Sequence, residues 1–321
     1  MRVAVIGGTG HIGSYLTPSL VEAGYSVTCV CRGVRQPYRE NSAWSSVDYL
    51  RVDRLAEEEA GTFGPRIANI NADVVIDLTC YHLSSAQQLV NALSSSDAHL
   101  IHCGTIWVHG LCGSVPMTED EPRRPFGDYG IRKAAIEAWL LRECNAENLS
   151  VTVLHPGHLV GPGWVPINPT GNFDPSIFAA LAQGSEVRIP NFGMETLNHV
   201  HAGDVAQAFL LAVQNRSAAA GQSFHVVAES ALTLRWYAEQ MAQWFHQPAR
   251  LKYLPFDEWK IGVSNKDAAI TEDHLRHSPN CSIEKAQRLL SYRPRYTPLA
   301  ALQESVSWLV ENGVIAAQPH S

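Results

Sequence analysis

Short apolar runs without polar alternation recur through the first half of the chain, at residues 2–6, 26–31, 47–52, 73–79, 98–103 and 150–155. A strand that is apolar on both faces is covered on both faces. Between these runs, residues 11–23, 83–93 and 129–143 place their apolar side chains at helical spacing. Strands separated by helices predict an α/β fold with a parallel, doubly wound sheet. After His155 the pattern breaks. Pro156, Gly157, Gly161, Pro162, Gly163, Pro166 and Pro169 crowd one stretch, which predicts loop. One more helix–strand unit follows at 204–213 and 223–227, and helical patterns recur at 233–245, 283–290 and 299–310. The expected division is a dinucleotide-binding unit of residues 1–165, to which 196–228 return, and a smaller substrate-binding lobe made of 166–195 and 229–321.

Composition narrows the class. With 45% hydrophobic and 17% charged residues in 321, the chain reads as an ordinary globular protein. A net charge of −7 and the lack of a basic run argue against nucleic acid or an anionic membrane as partner. MRVAVIGGTG reads as a strand and turn, not a leader, and no apolar run is long enough to span a membrane. The expectation is therefore a cytoplasmic protein acting on a small molecule, with a homodimer as the expected assembly. The seven cysteines are odd in number and include no CxxC pair, so buried reduced thiols are expected.

Gly7, Gly10 and Gly13 follow the first strand and open the first helix, in VAVIGGTGHIGSYL. The first glycine permits a tight turn, the second lets backbone approach a pyrophosphate, and the third lets helix pack on strand. The helix start then offers free N–H groups and a positive dipole end to phosphate. His11 and Ile12, inside this loop, join the expected cofactor-binding set. The second strand ends in Cys31-Arg32-Gly33, with no acid before Glu40. An acid there accepts bonds from the ribose hydroxyl of NAD, whereas an arginine meets the 2′-phosphate of NADP. NADP is thus favoured over NAD, although an Arg32 that only stacks on adenine would serve both.

Tyr129 and Lys133 stand four apart on one face of a predicted helix, which brings an ammonium near a phenol. A tyrosine that acts as a base near neutral pH needs its pKa lowered from ~10. Lys133, an oxidised nicotinamide and the helix start together supply the positive field for that. Asp128 is expected to cap the helix.

At these residues the chain resembles the extended short-chain dehydrogenase/reductases, in the branch of NAD-dependent epimerases and dehydratases. The resemblance covers nearly the whole chain. GGTGHIG is similar to the family's phosphate loop, and Asp53 in YLRVDRL to its adenine-contacting aspartate. Leu78, Thr79 and Cys80 fall in the fourth-strand segment that passes under the cofactor. HCGTIWVHG resembles the segment with the catalytic serine or threonine. The resemblance implies that role for Thr105, 24 residues before Tyr129. HPGHLVGPG resembles the loop that puts Pro156 and His158 near the nicotinamide. Taken on its own, Thr105 is a hydroxyl at the C-terminal end of a strand, the edge where ligands bind in open α/β sheets.

Departures bear on the substrate. The family's dehydratases carry an acidic pair where this chain has Ile106 and Trp107. Its nucleotide-sugar epimerases carry a pyrophosphate-gripping arginine where this chain has Leu197, and Arg188 or Arg276 are the candidate substitutes. His109 replaces a usual tyrosine, and Arg132 a serine. Trp107, His109, His158 and Asn172 are the expected substrate contacts, with Trp164 a further candidate wall. His155, His158, His199 and His201, with His102 and His109 nearby, carry no carboxylate or cysteine pattern that completes a metal site, so no metal is expected.

The leading expectation is an NAD(P)-dependent oxidoreductase or epimerase that transfers a hydride at a secondary alcohol or ketone of a sugar-like or nucleotide-sugar substrate. Thr105, Tyr129 and Lys133 would be its catalytic residues. The alternatives are an NADP-dependent reductase of a non-sugar ketone, and a non-catalytic dinucleotide-sensing or RNA-associated protein on the same fold.

Overall fold

The computed structural model describes residues 1–146 and 149–317. Strands β1 (Arg2–Ile6), β2 (Ser26–Cys31), β3 (Asp48–Arg51), β4 (Val74–Asp77), β5 (His99–Cys103) and β6 (Ser150–Pro156) join Gln222–Val226 in one seven-stranded sheet. From edge to edge the order is Gln222–Val226, β6, β5, β4, β1, β2, β3, and every pairing is parallel. Val5 stands beside Cys29 on one side and Ile76 on the other. The chain builds β1, β2 and β3 outward and then returns to lay β4 against the other side of β1. That reversal opens a crevice at the C-terminal ends of β1 and β4, where ligands bind in such sheets.

Helices α1 (Gly13–Glu22), α2 (Arg54–Glu59), α3 (Phe63–Ala68), α4 (Leu83–Leu93) and α5 (Gly127–Asn145) connect the strands. Both faces of the sheet are covered, which is why the strands show no alternation. Val3 and Val5 pack with Leu16, Leu20 and Phe209 on one face, while Ala4 and Ile6 pack with Leu89, Ile136 and Leu140 on the other. Each such side chain contributes about 1.5–3 kcal/mol on burial. A third apolar cluster joins Phe178, Leu181, Ile189, Tyr237, Met241, Leu302 and Val306.

The predicted strands and long helices are all present, with shifted ends. The helix expected at 129–143 begins at Gly127, so Tyr129 lies in its first turn. Phe126 is the N-cap and no side chain caps the helix. Asp128 is an acid of the first turn, not the expected cap. The glycine- and proline-rich stretch after His155 contains a short strand, His158–Val160, paired parallel with His199–His201. The helix Asn265–His277 was not anticipated. All seven cysteines are free, and four are buried. Among the described residues no helix is long and apolar enough to cross a membrane.

Candidate active site

Two cavities meet the expected residues. The first, about 490 Å3, lies over the C-terminal ends of β1, β2 and β4, with Gly7, Thr9, Gly10, Arg32, Arg35, Asp53, Arg54, Thr79 and Tyr81 in its lining. The three glycines play distinct parts. Gly7 has a φ of +84°, and a Cβ there would sit 2.5 Å from Thr79 Cγ2. A Cβ on Gly13 would lie 2.4 Å from the Gly8 carbonyl oxygen, so this glycine lets α1 press onto the loop. A Cβ on Gly10 meets only the Gly7 carbonyl oxygen, at 3.2 Å, and otherwise faces the cavity. Ile12 at the N-cap of α1 offers no side-chain acceptor, and the first turn has no acid. The Ser14, Tyr15 and Leu16 amides bond back to the Gly10 and Ile12 carbonyls, so the loop fits a dinucleotide pyrophosphate through the open space at Gly10 and the positive end of the α1 dipole.

The other expected cofactor residues fall around this groove in different ways. Arg32 is exposed on its rim beside Arg35. Asp53 lines it while accepting a bond from the Ala56 amide at the start of α2. Ile12, Leu78 and Cys80 are buried, and Ile12 and Leu78 pack into the apolar core. His11 is buried with its ring parallel to Trp164, the centroids 5.1 Å apart. Beneath the groove lies an ionic network that sequence reasoning missed. Arg54 donates to Asp77 at 2.8 Å and to Glu58 at 2.6 Å, and Glu58 accepts from Ser85. Burial alone would push the Asp77 carboxyl up, but the Arg54 guanidinium outweighs it and holds the group below its usual value. Asp77 also accepts from the Thr79 amide at 3.0 Å, which fixes the strand end under the loop.

The second cavity, about 290 Å3, is lined by Thr105, Trp107, Tyr129, Pro156, His158, Trp164, Phe173 and His274 among others. Here the three expected catalytic residues come together from separate elements. Thr105 caps the short helical turn after β5, its hydroxyl accepting from the Trp107 amide at 3.3 Å. Tyr129 lines the same wall, and the Thr105 hydroxyl is close enough to favour its ionised form. Lys133, one turn further along α5, is buried and donates to the carbonyls of Cys80 and Cys103, each at 2.7 Å. Two of its three donors are thereby fixed to the ends of β4 and β5.

The electrostatics differ from the sequence expectation. Although 40% of Tyr129 is exposed, its phenol is pushed well up. Desolvation is the largest cause, Cys103 and Tyr81 add to it, and the Thr105 hydroxyl works the other way. Burial likewise lowers the Lys133 ammonium, against Cys103, Cys80 and Asp77. On the protein's side, then, burial is the dominant influence on the Tyr129 phenol.

Of the expected substrate contacts, Trp107 and His158 line the cavity and His109 and Asn172 do not. Asn172 is buried and fully engaged: its amide donates to the hydroxyls of Thr170 and Thr271, and its oxygen accepts from Asn168 and the Asp174 amide. His109 turns into the interior, where its Nε2 lies 2.8 Å from His225 Nε2. In its place the cavity gains His274, from the helix Asn265–His277, and Phe173. Trp107 packs edge-on against both Tyr129 and His274. The sequence signal for His274 was the Ser264-x-x-Asp267 start of its helix, where each side chain bonds the other residue. No lysine or arginine lines this cavity.

The chain is 26% identical to the dTDP-6-deoxy-L-talose 4-dehydrogenase (NAD(P)(+)) of Kitasatospora kifunensis, over 93% of this chain and 97% of that one. It is 24% identical to the chloroplast stem-loop binding protein of 41 kDa b of Arabidopsis thaliana, over 95% and 78%. Its fold matches the UDP-glucuronic acid 4-epimerase of Bacillus cereus, solved with UDP-glucuronic acid and NAD, with a TM-score of 0.74, 17% identity and coverage of 97% and 100%. The model of the NAD dependent epimerase/dehydratase family matches residues 3–227. With its glycine loop, its seven-stranded sheet and this match, the chain belongs to the NAD-dependent epimerase/dehydratase family of extended short-chain dehydrogenase/reductases.

Proposed function

We propose that this protein is an NAD(P)-dependent oxidoreductase or epimerase that acts on a secondary alcohol or ketone of a sugar-like substrate. The observation that carries the reading is the convergence of Thr105 and Tyr129 on the wall of the 290 Å3 cavity, with Lys133 anchored behind them. Tyr129 Oη takes the proton of the substrate hydroxyl, or returns it. Thr105 Oγ1 holds the substrate oxygen in line with that phenol. Lys133 keeps the positions of Tyr129 and the two strand ends fixed and contributes positive charge. The nicotinamide, when bound, accepts or supplies the hydride. NADP is the favoured form, because Arg32 and Arg35 flank the groove where a 2′-phosphate would lie.

The apolar lining of the cavity and the absence of a cation from it favour a small neutral sugar or polyol over a group that places phosphate near the reacting carbon. The relatives named above are, by name, enzymes of nucleotide sugars and a stem-loop binding protein, so both outcomes belong in the test. The purified chain is incubated with NADP or NAD and a panel of neutral polyols, nucleotide sugars and ketones, following nicotinamide absorbance and sugar configuration. Tyr129→Phe should lower kcat by at least ~10²-fold with dinucleotide affinity nearly unchanged. Near-native turnover in that variant removes Tyr129 from the mechanism. No turnover of any substrate, together with tight RNA binding, moves the protein to the non-catalytic class.

A further inference from the structure

Behind the Thr105 segment, away from both cavities, three buried histidines converge from distant parts of the chain. His109 follows the helical turn of Thr105, His155 lies in β6, and His225 lies in the edge strand Gln222–Val226. None exposes more than 2% of its surface. One ring nitrogen from each lies within 4.8 Å of those of the other two. We propose that these imidazoles form a binding site for a single divalent first-row metal ion, zinc in the first instance.

Two of the three rings have the surroundings of metal-bound histidines. His155 Nε2 bonds Glu137 Oε2 at 2.9 Å, which leaves Nδ1 as the ring nitrogen without that partner. That Nδ1 is buried and has no hydrogen-bond partner. A histidine ligand characteristically donates its other ring N–H to a carboxylate or a carbonyl. His225 repeats the pattern: its Nδ1 lies 3.2 Å from the Ser282 carbonyl oxygen, which directs Nε2 inward. His109 differs: its Nδ1 lies 3.5 Å from the Arg123 guanidinium, which can only donate, and that cation is matched by Glu137 at 2.8 Å.

Two of the rings need only a small adjustment, while the His155 nitrogen, within 4.8 Å of the others, would close in on them. Two imidazoles bound to zinc at 2.0–2.1 Å in a tetrahedron stand about 3.3 Å apart, nitrogen to nitrogen. His109 and His225 Nε2 are 2.8 Å apart, so they open by roughly half an ångström. The competing arrangement is a plain N–H···N hydrogen bond between those two atoms. No local motif marks the site, because His109 and His225 lie 116 residues apart and meet only through the fold.

The test needs no substrate. The full chain is unfolded in chelator, refolded with one equivalent of Co2+ and examined by visible absorption, with metal content measured after gel filtration. The expected result is one tightly held ion with the absorption of tetrahedral nitrogen-ligated cobalt, displaced by Zn2+. His225→Asn and His155→Gln should abolish it, whereas His82→Gln, on the surface, should not. If the core variants fail to fold, the melting temperature of the wild type with and without zinc serves: stabilisation by one equivalent supports the site. Well under one bound equivalent, with no change in melting, overturns the proposal in favour of the hydrogen bond. Cobalt spectra unchanged in a folded His225→Asn variant also overturn it.

Discussion

At the scale of single residues, Arg32 decides which dinucleotide the groove prefers. It is exposed on the rim beside Arg35, and no carboxylate stands at that strand end to receive a free ribose hydroxyl. A guanidinium meets a phosphate through two parallel charge-assisted bonds, each weakened by solvent at an open rim. Taking the low end of the range for such bonds gives about tenfold tighter NADP than NAD. Calorimetric titration of Arg32→Ala should show that margin reduced severalfold, Arg35 retaining part of it, with NAD affinity little altered. The wild-type margin should shrink as salt rises. Equal affinities in the wild type would turn the reading toward a tightly held NAD, and so toward an epimerase. The glycine loop was legible one residue at a time because each glycine answers a separate steric demand. His109 was not legible, because a side chain's direction after a turn depends on the Gly110 kink, at φ +75°, that follows it.

At the scale of elements, α5 shows how one helix serves both the pocket and its foundation. Tyr129, Lys133 and Glu137 follow at intervals of four, so one face presents a phenol, an ammonium and a carboxylate in sequence. The spacing revealed the first pair. The third member had no motif, and its partners His155 and Arg123 are supplied by tertiary contact alone. The helix Asn265–His277 is the converse case. Its composition is polar, so the apolar period that exposed the other helices was faint, yet it delivers His274 to the cavity. Its Ser264–Asp267 start was the available sign. Ser264→Ala should cost about 0.5–2 kcal/mol of stability in denaturant titration, the range for a lost N-cap. If the helix aligns His274, the same variant should raise KM more than it lowers kcat. A change in kcat alone would separate the helix from the substrate cavity.

For the molecule as a whole, the buried histidines set the response to acid. Burial lowers His11, His99, His274 and His277 to about 4, and His102, His109 and His199 to about 3. Unfolded, each returns to the ordinary value of 6.5. Between those values the unfolded chain binds more protons than the folded one, so stability is full above pH 6.5 and falls as the pH drops toward 4. The lowered carboxyls of Asp77 and Glu137 act in the same direction at lower pH. Thermal melts across this range should show a fall steeper than the ~1.4 kcal/mol per pH unit that one group supplies. A flat profile between pH 7 and pH 5 would mean that the rings are not held neutral.

The two borders of the sheet have a further consequence, for how copies of this chain meet in a concentrated solution. The strand Gln222–Val226 is largely buried, and the helices Arg216–Ala219 and Glu284–Leu290 pack against it. β3, at the opposite border, is short and exposes Asp48 and Arg51. An open strand end is a template for adding another chain, and charged side chains there oppose that addition. One border is therefore covered by packing, while the other sets the charges of Asp48 and Arg51 beside the exposed Tyr49, charges that oppose the addition of a further strand.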